Sequence, residues 1–131
     1  MSFRSPRIHI IIEFPELKLE NLFAVLRRIK ERDGKIFRTV ILTAGDRTAK
    51  LLAYEIYKLG IRVTSVDGKR KQKRVLRASD GFNNGKFEVM IVSESGVEVE
   101  TRDIKHFINY DMNLPSSLSL FKQTLKRRRF G

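Results

Sequence analysis

The stretch FRTVILTAGDRTAKLLAYEIYKLGIRVTSV, residues 37–66, decides the fold. FRTVILT (37–43) is a β-branched apolar run, too short for a helix and suited to a buried strand. Asp46 can cap a helix that carries Ala49, Leu52, Ala53, Ile56 and Leu59 on one face and closes at Gly60. IRVTSV (61–66) then reads as another strand. Strand, helix and strand with near-continuous apolar strands indicate a parallel pair joined by a right-handed crossover.

The same alternation extends in both directions. RIHIIIEF (7–14) is a strand, and Leu19, Leu22, Phe23, Leu26 and Ile29 form the apolar face of a helix that stops at Asp33-Gly34. Beyond residue 66, Asp67-Gly68 makes a turn and a basic segment continues as a helix to about Phe82. NNGK (83–86) is a turn, FEVMIV (87–92) and IKHFINY (104–110) are strands, and NLPSS leads into a last helix from about Ser117. No repeat or linker divides the chain, so residues 1–131 read as one α/β domain: three layers, a largely parallel sheet with helices on both faces. Ligands of such sheets bind beyond the carboxyl ends of the strands. Here those ends are Thr43-Ala44-Gly45, Val66-Asp67-Gly68, Ser93-Glu94-Ser95 and Tyr110-Asp111.

Composition narrows the chemistry. The chain has no cysteine, which excludes disulfides, thiolate zinc sites and a cysteine nucleophile. His9 and His106 lie far apart in strand-like runs and suit structural roles, so no metal site is expected. No apolar run is long enough to span a membrane, and Met1 is followed by no signal-like segment, so an intracellular protein, cytoplasmic or nuclear, is expected. The net charge of +12 is concentrated in two stretches. KRKQKRVLR (69–77) holds six basic residues and KQTLKRRRFG (122–131) holds five, with no acid in either. The other 112 residues carry 16 basic and 15 acidic side chains and are close to neutral. Basic patches attract polyanions and release their counterions, which points to a phosphate backbone. The plainer alternative is a pair of solvated faces kept basic for solubility.

Motifs of a free-standing enzyme are missing: there is no G-x-x-x-x-G-K-[ST] loop, no G-x-G-x-x-G and no G-x-S-x-G elbow. What remains are phosphate-binding devices on one sheet edge. Thr43 to Asp46 form a small turn at a helix N-terminus, Asp67-Gly68 permits close backbone approach before the basic helix, and Ser93 ends a strand with a hydroxyl.

The order VILTAGDRTAKLLA, VDGKRKQKRVLRASDGFNNGKFEVMIVSES, HFINYDMNLP and KQTLKRRRFG resembles the second, C-terminal RecA-like domain of DEAD-box RNA helicases, over about residues 8–131. The strongest parts are the spacing Gly68, Gln72, Arg74, Phe82, Gly85 and the Asn109-Tyr110-Asp111 signature. The resemblance implies a RecA-like (P-loop NTPase-like) fold and backbone contacts to single-stranded RNA from Thr43, Ala44, Gly45, Gly68, Arg74 and Ser93, with Lys71 and Arg77 beside them on the basic segment. ATP and magnesium would enter only if a first RecA-like domain in a longer parent chain supplied the P-loop. The isolated domain would hold no cofactor.

Two elements depart from the family pattern. T-D-x-x-x-R-G-x-D has become SESGVEVE, so that Glu100 stands where the ribose-binding Asp is expected. H-R-x-G-R-x-x-R has become KQTLKRRR, with Lys126 and Arg129 at the two finger positions facing the nucleotide. A lysine is a point charge and cannot make the planar bidentate clamp of an arginine, which can be worth about 10³–10⁵ in rate. The expectation is therefore a degenerate helicase C-terminal domain, excised from a longer protein. It would bind RNA backbone and pack against other domains, without ATPase or helicase activity by itself. The alternatives are a protein-interaction or self-association module (a pseudo-helicase scaffold in a ribonucleoprotein pathway, of the small-RNA and Tudor type) and a functional half of an ATP-dependent RNA helicase.

Overall fold

A computed structural model of the chain describes residues 7–10, 17–66, 72–93 and 103–111. The elements follow in the order β1 (Arg7–Ile10), α1 (Lys18–Asp33), β2 (Thr39–Thr43), α2 (Asp46–Tyr57), β3 (Val63–Val66), α3 (Gln72–Asn83), β4 (Val89–Ser93) and β5 (His106–Asn109). The five strands form one sheet in the order β1-β5-β2-β4-β3, and every pairing is parallel.

Strand alternation sorts the core into two halves. In β2, β4 and β5, Ile41, Ile91 and Ile108 stand in register on one face, and Val40, Met90 and Phe107 on the other. The first set packs with Leu22, Val25, Leu26 and Ile29 of α1 and with Ala49, Leu52 and Ile56 of α2. The second packs with Ala78 and Phe82 of α3. Apolar side chains on both faces of the central strands explain their uninterrupted hydrophobic sequence. This is the three-layer α/β architecture expected, with α1 and α2 on one face and α3 on the other.

Turn chemistry agrees where glycine was needed. Gly34 follows α1 in the left-handed region (φ 80°), and its N–H donates to the Lys30 carbonyl at 2.8 Å, closing the helix. Gly81 has a different function, because it lies inside α3 with the Phe87 ring against it. A Cβ there would fall 2.6 Å from a ring carbon, so glycine is the residue that lets Phe87 approach.

Three details differ from the sequence reading. Leu59 was expected on the buried face of α2, but the helix ends at Tyr57 and Leu59 sits in the following turn, 53 % exposed. Asp46 was expected to cap α2; Gly45 is the N-cap instead, and Asp46 is the first helical residue. The strands are also shorter than their apolar runs. Arg38, for example, takes a left-handed φ of 54° immediately before β2. It sends its guanidinium to the Phe82 carbonyl at 2.8 Å. The expected last helix from about Ser117 lies outside the described residues.

Candidate nucleic-acid interface

In a parallel sheet all carboxyl ends lie on one edge, and each crossover helix starts there. β2 and β4 run in register to their last residues, so Thr43 pairs with Ser93 and both buried hydroxyls reach the same edge. Ala44 and Gly45 follow at once, with Ala44 exposed and Gly45 half-buried, and α2 begins beside them. Val66 ends β3 nearby in the sheet, and the chain re-enters the described structure at α3 on the opposite face. The structure thus brings Thr43, Ala44, Gly45 and Ser93 together.

Two carboxylates organise this edge: Asp111, read from the sequence only as part of a family signature, and Asp46, expected there as the cap of α2. Asp111, just past β5, accepts from the Thr43 hydroxyl at 2.6 Å and from the Ala44 N–H at 2.8 Å. Asp46, at the start of α2, accepts from the Ser93 hydroxyl at 2.5 Å. Each bond ties two elements distant in sequence, and a carboxylate near a helix N-terminus is favoured by the helix dipole. Three donors suited to phosphate are therefore already engaged by anions. Gly45 supplies no side-chain cap to the opening N–H groups of α2, which have no partner within the helix. Arg47 stands exposed in that turn.

Lys18, at the start of α1, closes the edge on the β5 side. Its ammonium lies 3.3 Å from the Tyr110 carbonyl and 6.0 Å from the centre of the Tyr110 ring. Burial raises the Tyr110 phenol above its ordinary 10.0, and the Asp111 carboxylate beside it raises it further. A phenol held up in the folded state contributes stability below the unfolded value of about 10; that contribution is lost as pH rises through the higher folded value. In an ultraviolet titration, the absorbance change that disappears in Tyr110→Phe should have its midpoint above pH 10.0. The same variant should resist alkaline unfolding better than the parent chain.

Arg74 and Arg77 are both exposed on α3, with Lys73 exposed between Gln72 and Arg74. Three and four residues separate neighbours on a helix face, so Lys73, Arg74 and Arg77 make one cationic surface near the helix start. Val75, Ala78 and Phe82 turn the other way into the core. Gly68, Lys71, Glu100, Lys126 and Arg129 lie outside the described residues. His106 is buried with its Nε2 2.7 Å from Asp33 Oδ2, joining the start of β5 to the end of α1, in keeping with a structural role. Among the described residues no cluster of three or more His, Cys, Asp or Glu could hold a metal ion, and no helix is long and apolar enough to cross a membrane.

Comparison with known proteins gives consistent relatives. Residues 17–131 match the family model described as the helicase conserved C-terminal domain. A DEAD-box ATP-dependent RNA helicase 21 of Oryza sativa subsp. japonica is 27 % identical over 120 residues, which cover 91 % of this chain and 15 % of the relative. The ATP-dependent RNA helicase vasa of Drosophila melanogaster is 32 % identical over 92 residues, 68 % of this chain and 13 % of the relative. The chain therefore spans about a seventh of the length of these curated relatives. Among solved structures, the E. coli DEAD-box protein SrmB bound to regulator of ribonuclease activity A superposes with a TM-score of 0.73 at 17 % identity, covering 94 % of this chain and 71 % of that one. The C-terminal domain of the DEAD-box protein Dbp5 gives a TM-score of 0.63 at 14 % identity, covering 96 % and 85 %. These two likenesses establish the fold.

Proposed function

Because the chain belongs to the helicase conserved C-terminal domain family, with DEAD-box RNA helicases as its relatives, we propose that it grips the backbone of single-stranded RNA and docks on a first RecA-like domain of its parent protein. The observation that carries this reading is the register Thr43↔Ser93, which sets two hydroxyls side by side where α2 begins. RNA phosphates would cross from the first turn of α2, beside Arg47, towards Arg74 and Arg77 on α3, with Gly68 and Lys71 in the connecting segment. Contacts of this kind recognise backbone and leave sequence unread.

Asp111 limits that grip. Its carboxylate competes with phosphate for the Thr43 hydroxyl and the Ala44 N–H. Removing its charge in Asp111→Asn should strengthen RNA binding about fivefold, corresponding to roughly 1 kcal/mol for one charge near another in water. Stability should fall by about 1 kcal/mol through the weakened hydrogen bonds. Fluorescence titration with labelled RNA, beside chemical denaturation, measures both. Unchanged RNA affinity would mean that the strand ends stand away from the RNA and that α3 binds alone.

In this reading the isolated domain turns over no ATP. It has no phosphate-cradling loop of its own, and Glu100 and Lys126 replace two residues of the nucleotide-facing pattern, while Arg129 keeps the second finger arginine. ATP and magnesium would be held chiefly by the partner domain. The names of the relatives favour a second reading, in which the chain is one half of a working ATP-dependent RNA helicase. Turnover in a parent chain containing both RecA-like domains, abolished by Arg129→Ala, would select that second reading.

A further inference from the structure

Four of the seven exposed large apolar side chains among the described residues belong to α2 and the turn after it: Leu51 (53 %), Tyr54 (60 %), Tyr57 (69 %) and Leu59 (53 %). Ala49, Leu52 and Ile56 already fill the core from the other side of the helix, so these four are additional to what folding needs. At 100° per residue, Leu51, Tyr54 and Tyr57 fall on one outward face together with Arg47, Lys50, Glu55 and Lys58. That face carries three cations and one acid. An aromatic and aliphatic strip edged by positive charge is a surface built for contact and not only for solvation.

The character of the strip selects its partner. A nucleic acid that used this strip through its bases would need open aromatic faces on which to stack them. Here the Lys58 ammonium lies 4.8 Å from the centre of the Tyr54 ring, and it is held 3.1 Å from the Glu55 carboxylate. Leu51 and Leu59 offer no π face at all. Apolar side chains of a protein would instead pack between Leu51, Tyr54 and Tyr57, with acidic groups alongside meeting Lys50 and Lys58. We infer that the outward face of α2 is a docking surface for an acidic protein segment bearing leucine or aromatic side chains. Charge complementarity sets the acidic requirement and the strip sets the apolar one. RNA binding uses the strand ends, the first turn of α2 with Arg47, and α3; the docking surface rests on Lys50, Leu51, Tyr54, Tyr57 and Lys58, further along α2.

The test is a selection of random dodecapeptides displayed on phage against the 131-residue chain, followed by titration of one synthetic winner. Winners should combine acidic with leucine or aromatic residues. Binding should weaken at least tenfold in Tyr54→Ser/Tyr57→Ser and again in Lys50→Glu/Lys58→Glu. All four positions are exposed, so denaturation midpoints should stay near that of the parent chain, and single-stranded RNA should not displace the peptide. No enrichment, winners without acidic bias, or binding that survives both double variants would overturn the inference. Displacement by RNA would assign the face to nucleic acid. A concentration-dependent mass lost in Tyr54→Ser/Tyr57→Ser would assign it to a second copy of the chain. RNA affinity measured on the same variants separates failure here from failure of the RNA reading.

Discussion

Replacing Lys71, Arg74 and Arg77 together by alanine should weaken binding to single-stranded RNA by about ten- to a hundredfold at near-physiological salt, and should flatten its salt dependence. Each phosphate contact on a single strand contributes roughly 0.7 to the slope of log affinity against log salt, so three lost contacts remove about 2. Arg74 and Arg77 are exposed on the outer side of α3, and their removal leaves the buried face of that helix intact. The denaturation midpoint should therefore move little. Equal affinity and an equal slope in the triple variant would assign these residues to solubility alone.

Phe82→Ala should have the largest effect on stability. Its side chain is fully buried among Val40, Leu42, Val66, Met90, Val92, Ile104 and Phe107, and it is the main bolt between α3 and the sheet. Its carbonyl also receives the Arg38 guanidinium at 2.8 Å, which holds the residue just before β2. Truncating a buried phenylalanine costs about 3–5 kcal/mol, much of the roughly 5–15 kcal/mol that stabilises a typical domain. Urea denaturation should show a lower midpoint with an unchanged slope. A loss below about 1 kcal/mol would mean that α3 is not anchored through this ring. The arginines of α3 depend on that anchor for their position, so RNA affinity of Phe82→Ala should fall where the fold begins to melt.

Much of this was legible in the sequence, and the parts that were not share a cause. The unit from β2 to β3 could be read because its strands are apolar on both faces and its helix on one, so period alone separates them. The left-handed closure at Gly34 followed from glycine after an amphipathic run. Strand order could not be read, since periodicity fixes which faces are buried and says nothing of which strands are neighbours. Asp111 could be placed at a strand end, but its partners could not be read for that reason: its bonds to Thr43 and Ala44, 68 and 67 residues away, exist only because β5 lies beside β2. Asp46 carried a misleading signal. An aspartate before a helical pattern suggests a cap, but Gly45 takes the cap and leaves the carboxylate to reach Ser93 on β4. The α2 strip was not legible because Leu59 fits the core spacing of the helix, although it lies exposed in the turn beyond it.

The central claim is that the strand ends and α3 form an RNA-backbone grip, beyond the general attraction of a chain of charge +12. Titration of the 131-residue chain with labelled single-stranded RNA across a salt series tests it most directly. At about 0.15 M salt, where exposed charges are screened beyond roughly 8 Å, the account predicts micromolar or tighter binding and a slope equivalent to several phosphate contacts. Binding that is measurable only at low salt and gone at 0.15 M would contradict it.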